Sequence, residues 1–132
     1  MTTRSHIGLI LALICGDATA EWTPLGGTEN IYSAYADKDS VRRTGQSVQM
    51  WGLYDFLIAD VSVDGEPHES TVVLREYDCA QARVRLLAFV DYAGHMGGGQ
   101  VVSKPGERPP SRWETIIPGA VDEAFWRVAC AK

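Results

Sequence analysis

The 132-residue chain is poor in the side chains that carry most enzymatic chemistry. It has three cysteines without a C-x-x-C pair, and none of its serines lies in a G-x-S-x-G motif. The glycine run at residues 97–99 is followed by neither the Lys-Ser/Thr pair nor the helix that a phosphate-binding loop needs. These absences argue against a redox site, a hydrolase nucleophile and a nucleotide site. We therefore predict a non-enzymatic protein with no catalytic residues and no cofactor.

Metal ligands are equally scarce. Beyond the N-terminal segment the only histidines are His68 and His95, and we expect both to be solvated on two different loops. Asp91 and His95 are close enough in sequence to share a metal ion, but no third ligand is apparent beside them. No metal site is predicted.

Basic residues are in the minority, with 12 lysines and arginines against 17 aspartates and glutamates and a net charge of −5. Nucleic-acid-binding domains normally carry a basic patch, so a nucleic-acid partner is not expected. A hydrophobic content of 45% excludes intrinsic disorder as the default state. A chain of this length forms one domain.

A membrane-spanning run is also missing. The apolar run at residues 7–15 is far shorter than the roughly 20 residues that cross a bilayer, so no integral membrane span is predicted. A weakly basic start, this run and Ala18-Thr19-Ala20 follow one another in the order of a secretory signal peptide. We predict a signal peptide at residues 1–20 and a single exported domain at residues 21–132. The alternative is a buried N-terminal strand or helix.

Cys15 raises the alternative of lipid attachment. A lipoprotein signal places its cysteine after a small residue, whereas bulky Ile14 precedes Cys15. Cys15 is better explained as a small apolar residue of the signal peptide. We expect soluble export, to the periplasm or to the cell surface and medium, without a lipid anchor.

Removal of the signal peptide leaves two cysteines, Cys79 and Cys130. An even count in an exported domain favours one disulfide. Cys79 ends a strand-like run, and Cys130 ends a run with helical periodicity. A bond between them would tether the C-terminal helix to a sheet and would require an oxidising compartment.

Alternation of apolar and polar residues predicts about six strands. The strands are expected at residues 21–25, 29–36, 47–56, 71–78, 83–92 and 100–103, with a polar loop at 60–69. Val84, Leu86, Ala88, Val90 and Tyr92 are predicted to face the core together. Gly52 interrupts the third strand and indicates a bulge or a close backbone contact.

The C-terminal helix is predicted at residues 121–130. Val121, Ala124, Phe125 and Val128 recur at helical spacing and define one buried face. Such a short helix is marginal alone, so it must pack on the sheet. The predicted fold is therefore α+β, with an antiparallel sheet carrying one C-terminal helix.

Four side chains are candidates for partner binding. Arg83 and Arg85 are predicted to project from one face of a strand, with Arg75 on a neighbouring strand, where they could bind acidic groups through bidentate contacts. The alternative is a set of ion-paired sheet residues beside Glu76 and Asp78. Trp126 is either an exposed interface anchor or part of the packing between helix and sheet.

The order of these residues resembles the bacterial surface-adhesin protein E-like domain family. No single motif is specific, but the ordered set extends from Trp22 to Cys130. The pieces that carry it are Trp22, residues 35–45 and 48–51, Ser70, REYDC at 75–79, RVRLL at 83–87, residues 92–94, WETIIPG at 113–119 and VAC at 128–130.

The resemblance implies an exported antiparallel domain whose C-terminal helix is tethered to the sheet by a disulfide. The family takes its name from an adhesin that binds host extracellular-matrix and serum proteins. The leading hypothesis is thus a non-enzymatic binding module with a protein partner, and the sequence leaves a homodimer open. The second hypothesis is a periplasmic accessory domain that recognises a small molecule or an envelope protein between helix and sheet.

Overall fold

A computed structural model describes residues 21–28, 30–61, 65–103 and 109–131. The predicted signal peptide and Cys15 lie outside these residues. The strands are β1 (Thr23–Thr28), β2 (Tyr32–Ala36), β3 (Arg42–Thr44), β4 (Ser47–Val61), β5 (Pro67–Asp78), β6 (Arg83–Tyr92), β7 (Val101–Ser103) and β8 (Glu114–Thr115). Single turns of 3-10 helix occur at Lys38–Ser40 and His95–Gly97, and the one α-helix described, α1, spans Val121–Ala129.

The strands form one antiparallel sheet in the order β1-β2-β4-β5-β6-β7. The short strands β3 and β8 pair with β4 and β6, outside this main path. β4 and β5 are the longest strands and occupy the centre. The predicted α+β fold with a sheet of about six strands is confirmed.

Helix α1 packs on one face of the sheet, which we call the helix face. Phe125 and Ala129 are fully buried against a cluster that includes Val48, Met50 and Tyr77. Of the predicted buried stripe, Phe125 is fully buried, and Val121 and Val128 are partly buried against this cluster, whereas buried Ala129 was not predicted. At the end of the helix, the disulfide from Cys79 to Cys130 is formed, with the two Cα atoms 5.6 Å apart.

Gly52 allows this close packing. A Cβ atom at position 52 would lie 2.7 Å from the Cε1 atom of Phe125. The sequence prediction of a close contact at Gly52 is therefore confirmed, and its partner is the aromatic ring of the helix.

The opposite face of the sheet is covered in part by residues 94–99, and we call it the loop face. Gly97 packs against the side chains of Leu53 and Val72. The Ser70 hydroxyl donates to the carbonyl oxygen of Gly94 at 2.6 Å and accepts from the Gly97 N–H at 2.8 Å. Ser70 and Leu53 are fully buried as a result.

Several predicted boundaries were wrong. Half of the predicted loop at 60–69 is strand, because β4 continues to Val61 and β5 begins at Pro67. β1 includes Gly26 and Gly27, which lie beyond the strand predicted at residues 21–25, and the ladder between β1 and β2 is irregular between Pro24 and Gly26. β3 and β8 were not predicted, since runs of two or three residues show no periodicity.

A bulge also overturns the predicted core face of β6. The register places Leu74 opposite Ala88 and Arg75 opposite Leu86, so Leu87 is the extra residue. Beyond such a bulge, the residues of the strand that face a given side of the sheet are shifted by one position. Val84 and Leu86 therefore share the helix face, whereas Ala88, Val90 and Tyr92 lie on the loop face.

None of the helices described is both long enough and apolar enough to cross a bilayer.

Candidate functional site

Arg75 is the most buried of the predicted arginines and lies on the helix face. Its Nη1 donates to the Tyr54 hydroxyl at 2.7 Å and to Asp122 Oδ1 of the helix at 3.3 Å. The guanidinium also lies over the rings of Tyr54 and Phe125, 5.3 and 5.8 Å from their centroids. Arg75 thus connects the central strands to the first turn of α1.

The charge of Arg75 is stabilised in this partly buried position. Burial alone would lower the pKa of Arg75, but Tyr54, Tyr77 and Asp122 together hold it above its ordinary value. Burial raises the pKa of Tyr54 and of Tyr77, and Arg75 opposes both shifts. At neutral pH the group is one guanidinium surrounded by two neutral hydroxyls and a carboxylate.

Arg83 and Arg85 project from the loop face, where each has a carboxylate partner. Arg83 contacts Asp78 Oδ2 at 2.7 Å, and Arg85 contacts Glu76 Oε1 at 2.7 Å. The indole of Trp113 covers both guanidiniums, with its ring centroid 4.9 Å from Arg83 Cζ and 4.3 Å from Arg85 Cζ. Sequence reasoning missed Trp113 here, because only the pairing of β8 with β6 places it over this pair.

Asp78 organises the turn that follows it. Its Oδ1 accepts from the backbone N–H groups of Ala80 and Gln81, both at 3.0 Å. The hydrogen bond from Arg83 lowers the pKa of Asp78, burial opposes this, and the two backbone hydrogen bonds lower it further. The ionised carboxylate is therefore a stabilising group of the folded state.

A test of this role uses the pH dependence of stability. Because the folded pKa of Asp78 lies below its unfolded value of about 3.9, its contribution is complete above about pH 4 and is lost as the pH falls through the folded pKa. We expect Asp78→Asn to unfold in less urea than the wild type at neutral pH, and the difference to shrink in acid. Urea titrations at both pH values measure this, and a difference independent of pH would contradict it.

Trp126 is half-buried and packs against the core cluster. Its indole N–H donates to the carbonyl oxygen of Asp78 at 3.0 Å, next to the disulfide. The geometry agrees with the helix–sheet packing alternative. A role for Trp126 in binding a partner stays a prediction.

The four candidate residues do not form one site. Arg83 and Arg85 share the loop face, as predicted, but Arg75 faces the helix because β5 alternates between the two sides of the sheet. All three arginines have partners within the domain. Their role in binding a partner also stays a prediction.

His68 is not on a solvated loop, contrary to expectation. It lies in β5 with 4% of its surface exposed, and its Nε2 is 3.5 Å from Asp91 Oδ1. Asp91 also accepts hydrogen bonds from the hydroxyls of Thr71 and Ser103, at 2.7 and 2.6 Å. The Ser103 hydroxyl thus donates to Asp91 and not to His68, an arrangement that does not activate a serine nucleophile.

His95 lies at the start of the 3-10 turn, half-exposed between two carboxylates. Its Nδ1 is 3.1 Å from Asp55 Oδ1, and its Nε2 is 3.3 Å from Glu69 Oε2. Asp91 and His95 thus belong to different clusters. Among the described residues, no group of three His, Cys, Asp or Glu side chains is arranged to hold a metal ion.

Two concavities flank the N-terminal half of α1. One, of about 560 Å³, lies between β1 and the helix and is lined mainly by small residues, with Leu25 and Tyr32 among its walls. The other, of about 290 Å³, lies on the β6 side and is lined by charges of both signs, including Arg75 and Asp122.

The family model of surface-adhesin protein E matches residues 22–131. The chain belongs to the surface-adhesin protein E family. No curated protein matches the sequence at a significant level.

Solved structures of Haemophilus influenzae protein E have the same fold. One is 16% identical with a TM-score of 0.65, and the alignment covers 87% of each chain. A second crystal form is 16% identical with a TM-score of 0.67, covering 87% of this chain and 91% of the other. At this identity the likeness shows the fold alone. As a member of a surface-adhesin family, the chain is an exported protein.

Proposed function

We propose that this domain is an exported, non-enzymatic adhesin that attaches to host extracellular-matrix or serum proteins. The observation that carries the proposal is the surface-adhesin protein E match across residues 22–131, on a chain with the protein E fold. The chemistry of the described residues is consistent with it. Ser70, Arg75 and Asp78 hold the 94–99 segment, the helix and a turn in place.

The test measures both the location of the protein on the cell and its binding to matrix or serum proteins. We expect externally added protease to degrade the protein on intact cells, and the purified protein to bind immobilised laminin, vitronectin or plasminogen saturably. A periplasmic protein of the same strain is the control for an intact envelope. Protection from protease together with no saturable binding would refute the adhesin proposal.

A second candidate is a periplasmic accessory domain, favoured by the 560 Å³ concavity between β1 and α1. Its volume falls within the range of small-ligand pockets, about 300–1,000 Å³. Protection of the protein on intact cells would favour this candidate. Size-exclusion chromatography with light scattering measures whether the purified protein is a homodimer.

A further inference from the structure

Exposed aliphatic side chains are concentrated at one end of the sheet. We call Ile31, Leu57, Ile58 and Val61 the apolar tip; their exposed fractions are 52%, 61%, 72% and 59%. The Leu57 N–H donates to the Ile31 carbonyl oxygen at 2.8 Å, which joins the β1–β2 turn to β4. Exposed aliphatic side chains grouped at one end of a sheet mark an interaction site more often than scattered exposed residues do.

The backbone is also open at the apolar tip. The ladder between β2 and β4 ends at Phe56, and the ladder between β4 and β5 passes from Asp55 to Asp60 without pairing the residues between them. Within the described part of β4, Ile58 and Ala59 therefore belong to neither ladder. An extended strand whose backbone is outside any ladder is a template for another strand.

The charged side chains described on β4 and β5 near the tip are acidic. No lysine or arginine occurs between residues 44 and 74, and the described acidic residues of this interval are Asp55, Asp60, Glu66 and Glu69, of which Asp55 and Glu69 flank the imidazole of His95. The arginines of β3 and of the start of β6 lie at the opposite end of the sheet, near Ser47 and Asp78. An aliphatic surface inside an acidic field is complementary to a partner with aliphatic and basic groups.

We propose that the apolar tip docks an extended, basic polypeptide segment of a partner protein. The segment would lie along β4 at Leu57–Val61, placing alternate aliphatic side chains on the tip and its lysines or arginines near Asp60 and its acidic neighbours. This inference rests on the proposed function, since it names the kind of partner segment that the adhesin would bind.

Charge also argues against two other partners for the tip, a membrane surface and a second copy of the chain. Membrane surfaces carry anionic lipids, which repel an acidic tip. A second copy placed tip to tip would bring the carboxylates of the two copies together, and like charges across an interface are destabilising. A basic segment with aliphatic side chains would bury the exposed aliphatic groups of the tip and would also be attracted to its carboxylates, so both effects favour binding.

The experiment uses the purified protein and a synthetic peptide of about ten residues in which valine and lysine alternate, a length typical of one strand. Titration is followed through the backbone amide signals in NMR spectra. We expect shifts confined to the Ile31 region and to Leu57–Val61. Ile58→Ser should weaken binding about tenfold, because it removes a large part of the aliphatic contact.

Ile117→Ser is the matched control, since it makes the same chemical change at a side chain that is 67% exposed and lies just before helix α1. It should bind the peptide as the wild type does. A peptide with glutamate in place of lysine should bind at least about tenfold more weakly than the lysine peptide.

Equal binding of the two peptides, or equal binding by Ile58→Ser and wild type, would overturn the proposal. So would self-association of the protein that Ile58→Ser abolishes, because the occupant would then be a second copy. Saturable binding to a matrix protein that is unchanged in Ile58→Ser would refute the tip while leaving the adhesin function intact. Peptide binding at the tip without any matrix binding would refute the adhesin function and would leave the tip supported as a peptide-binding site.

Discussion

Replacing both Cys79 and Cys130 by alanine should lower the free energy of unfolding by about 4 kcal/mol. The two residues are separated by 51 positions, and opening a loop of this length increases the conformational entropy of the unfolded chain by that amount in the chain-entropy model. For a domain whose total stability is about 5–15 kcal/mol, the loss is severe. Urea and thermal unfolding monitored by circular dichroism measure it, with an expected fall in melting temperature of roughly 10–25 °C.

Reduction of the wild type supplies the matched control. A reducing agent should lower the stability of the wild type to that of the double variant and should leave the double variant unchanged. If the double variant unfolds within about 1 kcal/mol of the oxidised wild type, packing of α1 holds the helix without help from the bond.

Phe125→Ala should destabilise the domain by about 3–5 kcal/mol, the usual cost of removing a buried phenylalanine ring. The ring is fully buried, contacts Tyr54 with centroids 5.7 Å apart, and fills the space that Gly52 leaves open. Its loss would create a cavity between α1 and the centre of the sheet. Chemical denaturation of the oxidised protein measures the change.

Two further variants separate this contact from general effects on the helix. Phe125→Leu keeps much of the volume and should cost clearly less than Phe125→Ala. Arg127 lies on the exposed side of the same helix, where it pairs with Glu123 at 3.4 Å, and Arg127→Ala should change stability by no more than about 0.5 kcal/mol. A similar loss in all three variants would mean that helix propensity dominates, and not the contact with Gly52.

The sequence predicts those parts of the fold that local periodicity determines. The limits of β6 agree with the prediction, and the helix differs by one residue at its C-terminus. Alternation cannot reveal the bulge opposite Leu74 and Arg75, because the extra residue is defined only by pairing with another strand. The predicted single core face of β6 was wrong for that reason.

The loop at 60–69 was mispredicted because Gly65 and Pro67 were read as the centre of a long loop. In the structure Pro67 already begins β5, and Pro67 and His68 pair with Val61 and Asp60 of β4. The family resemblance found the disulfide and the fold correctly. The candidate arginines were located on the right strands, but their carboxylate and aromatic partners come from tertiary pairing, which spacing does not encode.

The uneven placement of charge along the sheet has an effect at long range. Among the described residues, the carboxylates near the tip and the β3 arginines, Arg42 and Arg43, at the other end contribute a dipole along the sheet, in a chain with a net charge of −5. For the surface-displayed adhesin proposed above, an anionic envelope would exert a torque on this dipole that turns its negative end outward, over a distance of about one Debye length, roughly 8 Å at physiological salt. The cell's own surface field would therefore present the tip to approaching molecules before any contact is made.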